Sequence, residues 1–160
     1  MRAPQHPEHG PPFQDLLLSV FQLSNVLSSS GDRLVADLGL TSARWQVLGA
    51  VAIGAPRPVS WLARELDVSR QNVQRIVNDL VRDGFVTLEP NPNHQRAQLV
   101  TMSEAGAEVM AAAALRARPW AEDAASGISP DDIDTARRVL HAIGAAVHHH
   151  DHRTNQEEPA

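Results

Sequence analysis

Two short amphipathic segments joined by a tight turn, at residues 59–84, constrain the fold of this chain more than any other feature. In the first segment, three apolar residues are spaced to face inward: Leu62, Ala63 and Leu66. In the second, apolar residues recur at i, i+3, i+4 and i+7 and so share one stripe of a helix: Val73, Ile76, Val77 and Leu80. Ser69 can cap the start of this second helix, and Gly84 can end it. The pattern predicts a helix-turn-helix unit.

The opposite face of the second helix lacks the acids that a solvated helix usually carries. Before Asp79 it holds only arginines and side-chain amides, namely Arg70, Gln71, Asn72, Gln74, Arg75 and Asn78. Arginine can bind guanine through two hydrogen bonds, and asparagine or glutamine can bind adenine in the same way. A plain surface helix that happens to lack acids is the alternative. The neighbouring helix and hairpin favour a DNA-reading face that starts at Ser69.

Two short alternating stretches follow this helix and predict two strands, Phe85–Leu88 and Ala97–Met102. The loop between them is rich in proline and asparagine, which favour turns, so the strands are expected to form a polar hairpin. Arg96 near its tip is placed to enter a minor groove of DNA, whose negative potential attracts arginine. Asn93 and His94 of the same loop are further candidate DNA contacts. A hairpin with a solvated arginine is the alternative interpretation.

Ser60 lies near the start of the first predicted helix, Val59–Leu66. Free backbone amides and the helix dipole at such a position favour a DNA phosphate, so Ser60 joins the candidate DNA contacts. The neighbouring Trp61 has three candidate environments: the core, a ligand cavity and the DNA backbone. Core or partly buried packing fits it best.

The order and spacing of these pieces resemble the MarR family of bacterial transcription regulators over residues 13–147. The likeness rests on the following segments: Leu40–Thr41, Trp45, Val47–Leu48, Leu62–Leu66, Val68–Ser69, Val73–Val77, Leu80–Val86, Arg96 and Leu99–Gly106. The resemblance implies a mainly α fold, in which a winged helix-turn-helix is mounted on a helical dimerisation region. It also implies a homodimer that binds double-stranded DNA at a near-palindromic operator, with repression as the expected effect on transcription.

The chain departs from the family pattern at one position of the wing, and the resemblance also implies a small-molecule effector. The family usually carries an Asp two residues before its wing arginine; His94 stands there, so the bracing ion pair does not carry over to Arg96. Small aromatic acids or phenols bind between the DNA unit and the dimer helices of the family. A ligand of this chain is expected to act by changing the separation of the two reading heads. The candidate lining residues here are Arg44, Trp45 and Trp61, although core packing explains both tryptophans as well.

Helical patterns flank the winged unit on both sides. An apolar stripe from Phe13 to Leu38 predicts one long helix whose middle is weak or bent at Ser28–Gly31. Thr41 can cap the next helix, and Ser103 can cap a long alanine-rich helix that a proline kinks near its end.

The last predicted helix starts at Ser129–Pro130, where both residues are favourable, and ends near Val147. Its apolar residues alternate by three and four, as in a coiled coil: Ile133, Ala136, Leu140, Ile143 and Val147. The helices together carry more apolar surface than one small domain buries, so a homodimer is expected rather than a monomeric bundle. The predicted organisation is a flexible tail at 1–12, a helical dimerisation region at 13–40 and 103–147, a winged helix-turn-helix DNA-binding domain at 41–102, and a flexible His-rich tail at 148–160.

The net charge of −5 is unfavourable for DNA binding unless it is unevenly distributed. Residues 102–160 hold five arginines against ten acids, whereas residues 57–101 hold six arginines against five acids. Most of the negative charge therefore lies outside the winged unit. The alternative function is a winged-helix protein–protein interaction module without sequence-specific DNA binding. Its polar helix face argues against it, and a steep loss of DNA binding with rising salt would separate the two.

Several classes of function find no support in the sequence. It contains no glycine-rich phosphate loop, no nucleophile elbow and no helix with paired metal-binding histidines, so no enzyme, catalytic residue or cofactor is expected. The chain has no cysteine, which excludes disulfides and thiolate metal sites. No apolar run approaches the roughly 18 residues of a membrane helix, and the N-terminus lacks the apolar core of a signal peptide. A cytoplasmic protein without a membrane partner is expected.

A cluster of histidines follows the predicted end of the last helix: His148, His149, His150 and His152. Such a cluster can bind a metal ion such as nickel or zinc. The favoured interpretation is a disordered tail that binds metal only adventitiously. An incomplete purification tag is disfavoured because Asp151 interrupts the run. No metal site is therefore predicted.

Overall fold

A computed structural model describes residues 10–94 and 96–157 of the chain. Its elements are α1 (Gly10–Val35), a short 3-10 turn (Ala36–Leu38), α2 (Ser42–Ala52), β1 (Arg57–Pro58), α3 (Val59–Glu65), α4 (Arg70–Arg82), β2 (Val86–Glu89), β3 (Leu99–Met102), α5 (Glu104–Ala124) and α6 (Pro130–Glu157). The three strands form an antiparallel sheet in the order β1-β3-β2. This confirms the predicted fold class, a mainly α winged helix-turn-helix. The chain divides after Pro119 into two compact units.

Helix α4 forms as its local sequence predicts. The Ser69 hydroxyl accepts a hydrogen bond from the Asn72 amide at 3.2 Å, which satisfies one free donor of the first turn. Four residues form its buried stripe: Val73, Ile76, Val77 and Leu80. Gly84 follows the last turn with a φ of 79°, in the left-handed region that favours glycine. The position and the buried face of α4 are therefore confirmed.

The connection from α3 to α4 is tight because Asp67 adopts a left-handed conformation, with a φ of 52°. The Val68 amide then donates to the Ala63 carbonyl oxygen at 3.0 Å. Helix α3 follows Pro58 and ends one residue before the predicted Leu66. The two helices therefore share one small core.

The two strands of the hairpin start slightly later than predicted. The Phe85 amide donates to the Leu80 carbonyl oxygen at 2.9 Å, so Phe85 closes α4 instead of starting a strand. The Ala97 amide donates to the His94 carbonyl oxygen at 3.1 Å, so Ala97 belongs to the hairpin turn. Pairing then runs from Val86 opposite Met102 to the far end of β2.

Strand β1 was not predicted. It contains only two residues, Arg57 and Pro58, which pair with Val100 and Leu99 of β3. Two residues cannot show an alternating pattern, and the strand with which they pair lies far along the chain. The tertiary fold alone creates this strand.

Helix α1 runs through the segment that was expected to weaken it. A β-carbon on Gly31 would stand 2.7 Å from the Ser42 hydroxyl oxygen, so glycine lets α1 approach the start of α2 closely. The Ser42 amide also donates to the Asp32 carboxylate at 2.6 Å. The helix starts at Gly10, with prolines in its first turn where no amide donor is needed. Residues 10–12 of the predicted tail therefore belong to α1, and its residues 1–9 lie outside the described residues.

Helix α5 starts as predicted, with the Ser103 hydroxyl accepting from the Gly106 amide at 3.0 Å. Helix α6 likewise starts as predicted, with the Ser129 hydroxyl accepting from the Asp132 amide at 3.1 Å. Its end differs from the prediction, since α6 continues ten residues beyond Val147 to Glu157. No glycine or proline interrupts the sequence there, so nothing local stops the helix. None of the described helices is both long and apolar enough to cross a membrane.

Candidate nucleic-acid interface

The polar side of α4 forms an open groove on the surface of the winged unit. Five predicted residues line it: Arg70, Gln71, Gln74, Arg75 and Asn78. Asn72, the sixth, is exposed one turn after the N-cap. We call these six residues the reading face. They lie opposite the buried stripe, so they can meet a partner without any change in the core.

Hydrogen bonds within the reading face hold its side chains along the helix. The Gln74 amide donates to the Asn78 side-chain oxygen at 3.0 Å. The Arg75 guanidinium donates to the Asn72 side-chain oxygen at 3.0 Å and lies 3.9 Å from the Asp79 carboxylate. These are exposed contacts one turn apart, which are individually weak. The same donors and acceptors can therefore turn to base edges at little cost.

A second cleft, of about 90 Å³, lies where three elements meet. Its polar lining comes from the first turn of α3, from α4 and from the hairpin: Ser60, Arg70, Gln74, Arg96 and Gln98. We call it the wing cleft. Four residues that the sequence predicted on three different elements, Ser60, Arg70, Gln74 and Arg96, thus line one small volume, where two arginines favour an anionic group.

The hairpin loop is organised by an asparagine whose individual role sequence reasoning missed, although the asparagines of the loop predicted a turn. The Asn91 side-chain oxygen accepts from the Asn93 amide at 2.9 Å, and its carbonyl oxygen accepts from the His94 amide at 3.2 Å. Such asparagine turns have a local signature, and the sequence Asn91-Pro92-Asn93 carries it. Asn93, His94 and Arg96 are all exposed. The turn is therefore shaped without the acid that the resembled family places at position 94.

The side chain of Arg44 is held by contacts with other residues of the fold. Its guanidinium forms an ion pair with Asp83, donates to the Gly39 carbonyl oxygen at 2.7 Å and lies 5.8 Å from the centre of the Phe85 ring. These contacts join the start of α2 to the end of α4. Asp83 was also missed by sequence reasoning, because its partner is distant in the chain.

The two tryptophans are also held by packing contacts. Trp45 is partly buried against the hydrophobic core, and so is Trp61. The Arg57 guanidinium lies 5.0 Å from the centre of the Trp61 ring, a cation–π contact. These neighbours differ from those of Arg44. The ligand role of the three residues stays a prediction.

The ion pair between Arg44 and Asp83 should make stability depend on pH. Hydrogen bonds from Arg44 and then Arg82 lower the pKa of Asp83 below its ordinary value of 3.8. A lowered folded-state pKa means that the pair stabilises the fold above the unfolded value and loses this effect as pH falls through the folded one. Asp83→Asn should therefore lower the melting temperature at pH 7, and by less at pH 3.

The matched control for this change is Asp134→Asn. Asp134 forms an exposed ion pair with Arg137 within α6, and such pairs contribute little. Melting curves of both variants and the unmodified chain, recorded by circular dichroism at pH 3 and pH 7, check the prediction. An Asp83→Asn chain that melts like the Asp134→Asn chain at pH 7 would contradict it.

Comparison with known proteins places this geometry in context. The model of the MarR family matches residues 38–97. The Mycobacterium tuberculosis protein Rv2011c, described as uncharacterised, is 37% identical over 134 residues, which are 81% of this chain and 93% of the relative. The transcriptional activatory protein BadR of Rhodopseudomonas palustris is 38% identical over 97 residues, which are 59% of this chain and 55% of BadR.

Solved structures share the fold. A mutant of the Escherichia coli protein MarR, crystallised in complex with operator DNA, superposes with a TM-score of 0.68 and 22% identity. The match covers 81% of this chain and 96% of that one. At this identity the likeness concerns the fold alone. The arrangement of helices and sheet described above is therefore shared with a protein that was captured on its operator.

Proposed function

The chain belongs to the MarR family of DNA-binding transcription regulators, and we propose that it is a homodimeric repressor that binds a near-palindromic operator in the bacterial cytoplasm. Residues 41–102 are the DNA-binding domain in this proposal, and residues 13–40 and 103–147 form the dimerisation region. Members of the family act by binding DNA and not by catalysis. The observation that carries the proposal is the convergence of Ser60, Arg70, Gln74 and Arg96 at the wing cleft.

The reading face supplies the contacts expected of a helix in the major groove. Arginine suits guanine, and the amides of Gln71, Asn72, Gln74 and Asn78 suit adenine. Arg96 stands on the hairpin next to this face, at the place from which a wing can enter the adjacent minor groove. Phosphate contacts would come from the first turns of α3 and α4, where Ser60 and Ser69 lie.

Exposed apolar residues support the homodimer. On α1 the large exposed side chains are Phe13, Leu16, Leu18, Phe21, Leu23, Val26 and Leu27. On α6 they are Ile133, Val139, Leu140 and Val147. Single exposed apolar residues are normal, but clusters of this size usually mark an interface. In a dimer that fits successive major grooves, the two reading helices would stand about 34–36 Å apart.

A small ligand is part of the proposal, with two candidate places. The first is the predicted one, although Arg44 there is already engaged by Asp83 and Gly39. The second is a cleft of about 360 Å³ between the end of α2, strand β3 and the start of α5, lined by Val51, Ala52, Gly54, Pro56, Val100, Thr101, Met102, Ala107 and Met110. Its lining carries no charge, so a neutral aromatic molecule fits it better than an aromatic acid. Because β3 belongs to the wing, an occupant there would act on DNA binding.

Arg75→Ala is expected to weaken operator binding by about 1–3 kcal/mol, or roughly 5- to 150-fold, because one base contact is lost. Folding should change little, since the Arg75 side chain is 69% exposed. The matched control is Arg137→Ala, which removes an arginine of similar exposure, 63%, with a similar acidic neighbour one turn away. Operators selected from random DNA and titrated by fluorescence anisotropy provide the measurement.

Two outcomes of this titration separate the alternatives. Unchanged operator affinity of the Arg75→Ala chain would show that Arg75 makes no base contact. Affinity that does not fall steeply with salt would favour a protein–protein interaction module over a DNA-binding regulator. The sign of regulation needs a reporter, because the relative BadR is named as an activatory protein. Expression from the selected operator should rise when the protein is removed.

A further inference from the structure

Asp79 is the first acid of α4, and it follows a surface made of arginines and side-chain amides. Its carboxylate lies between two arginines. One oxygen accepts a hydrogen bond from the Arg82 guanidinium at 2.8 Å, and the other lies 3.9 Å from the guanidinium of Arg75. Arg75 belongs to the reading face. Asp79 is therefore placed to act on a residue that is expected to contact a base.

Without DNA, Arg75 lies along the helix between two neighbours. It donates to the Asn72 side-chain oxygen at 3.0 Å on one side. On the other side, the 3.9 Å to Asp79 exceed a hydrogen bond but leave the opposite charges attracted. The guanidinium must leave both neighbours to contact a base edge. Guanine offsets this loss with two acceptors that arginine can bind together, which no other base presents in the major groove.

We propose that Asp79 is a positioning residue that makes Arg75 selective for guanine, a role that rests on the proposed reading of DNA by α4. The carboxylate of Asp79 competes with DNA for the guanidinium of Arg75. Opposite guanine, the DNA wins this competition. Opposite another base, or beside a backbone phosphate, the carboxylate retains Arg75 more often. A residue that weakens binding to wrong sites more than to the right one raises specificity.

Arg82 allows Asp79 to release Arg75. When Arg75 turns to a base, Asp79 keeps its hydrogen bond from Arg82 and is not left as an unpaired charge near the phosphates. Arg82 is itself held by Asp83, whose carboxylate accepts from the Arg82 Nε at 3.2 Å. The side chain of Asp79 is 29% exposed, whereas that of Arg75 is 69% exposed. The acid is thus the fixed partner and the arginine the mobile one.

Asp79→Asn removes the charge and nearly keeps the shape of the side chain. The contacted guanine is the operator position at which Arg75→Ala loses its preference among single base-pair variants. The ratio of affinities for the operator and for the variant without this guanine should fall about two- to fivefold, the factor that an exposed ion pair supplies. Affinity for DNA of random sequence should rise, because the freed arginine can turn to phosphates.

Glu65→Gln is the matched control. Glu65 is an exposed acid at the end of α3, so this change removes one negative charge from the same winged unit, away from Arg75 in sequence. It should shift the affinities for both DNAs alike and leave their ratio unchanged. Asp79→Glu and Asp79→Gln form a second pair, which differs in charge at one side-chain length. The glutamate chain should discriminate better than the glutamine chain, which keeps the test decisive if Asp79→Asn unfolds.

A double change shows whether Asp79 acts through Arg75. In a chain that already carries Arg75→Ala, Asp79→Asn should no longer alter the discrimination, because the residue that it positions is gone. An equal effect with and without Arg75 would overturn the positioning role and make Asp79 a base contact itself, since a carboxylate can accept from cytosine. Circular dichroism confirms that each chain is folded before its affinities are compared.

Fluorescence anisotropy on these DNAs separates failure of this role from failure of the proposed function. If the unmodified chain selects no DNA sequence, DNA reading fails and the role of Asp79 fails with it. If the chain selects an operator and Arg75→Ala weakens its binding, DNA reading stands. Discrimination that Asp79→Asn leaves unchanged, or that Glu65→Gln lowers equally, would then overturn the role of Asp79 alone.

Discussion

Changing Gly106 to alanine is expected to destabilise the fold by about 3 kcal/mol or more, at the upper end of what an overpacked position costs. Gly106 is buried in the first turn of α5. A β-carbon there would stand 2.0 Å from the carbonyl oxygen of Phe85 and 2.9 Å from its carbonyl carbon. Both are backbone atoms, which no side-chain rotation can clear. Helix α5 would have to move away from the end of α4.

The contacts around Gly106 show why such a movement is costly. The Ser103 hydroxyl donates to the Gly84 carbonyl oxygen at 2.6 Å, and the Ser103 amide donates to the Phe85 carbonyl oxygen at 3.1 Å. These bonds tie the start of α5 to the turn that follows α4. A β-carbon at Gly106 would push apart the same two segments, so the hydrogen bonds would be lost together with the packing.

Gly49→Ala is the matched control, because it makes the same chemical change inside α2. A β-carbon at Gly49 would meet only the Met110 methyl at 3.8 Å, an ordinary contact. Alanine favours helices over glycine by about 0.8–1 kcal/mol, so this variant should be slightly more stable than the original. Urea unfolding followed by circular dichroism measures both. Equal midpoints for the two variants would show that α5 does not approach Phe85 this closely.

Features encoded by neighbouring residues could be predicted from the sequence. The cap at Ser69, the stripe of α4 and the left-handed Gly84 each depend on residues within a few positions, and all three are confirmed. The same holds for the caps at Ser103 and Ser129. The reading face follows from the stripe, because polar residues of a helix must lie opposite its buried ones.

Features created by distant contacts could not be predicted. Strand β1 exists because Arg57 and Pro58 meet β3, and Asp83 matters because Arg44 reaches it from α2. Nothing in the sequence around Gly106 distinguishes it from other helix glycines, because the requirement for glycine comes from the distant backbone of Phe85. The end of α6 was missed for another reason, since its apolar spacing stops at Val147 whereas the helix continues to Glu157.

Changing Leu140 to aspartate is expected to convert the proposed dimer into monomers and to lower operator affinity about 100-fold or more. The loss of operator affinity is expected because two joined DNA-binding modules bind more tightly than either module alone, by a factor of roughly 10²–10⁴. Leu140 is 46% exposed on α6, amid other exposed apolar side chains of that helix. A charge placed in an interface built from that surface would be left unpaired, and an unpaired buried charge is strongly unfavourable.

The control for this variant is Ile53→Asp. Ile53 is an apolar side chain that is 79% exposed in the loop after α2, outside the proposed dimerisation region, so the same kind of charge there should leave assembly unchanged. Light scattering at micromolar concentration gives the mass of each chain, and circular dichroism shows whether it is folded. The milder Leu140→Ala should weaken the dimer without adding a charge, which keeps the test meaningful if the aspartate variant unfolds.

The outcomes decide whether the exposed apolar surface of α6 is part of a dimer interface. If Leu140→Asp is folded, monomeric and weak on DNA while Ile53→Asp behaves like the unmodified chain, α6 contributes to the dimer and dimerisation sets operator affinity. If the unmodified chain is a folded monomer, or the Leu140→Asp chain still dimerises and binds, this surface of α6 is not the interface. If the unmodified chain does dimerise, the exposed residues of α1 would then have to carry the association, and the same charge at Phe21, 65% exposed, becomes the next change to make.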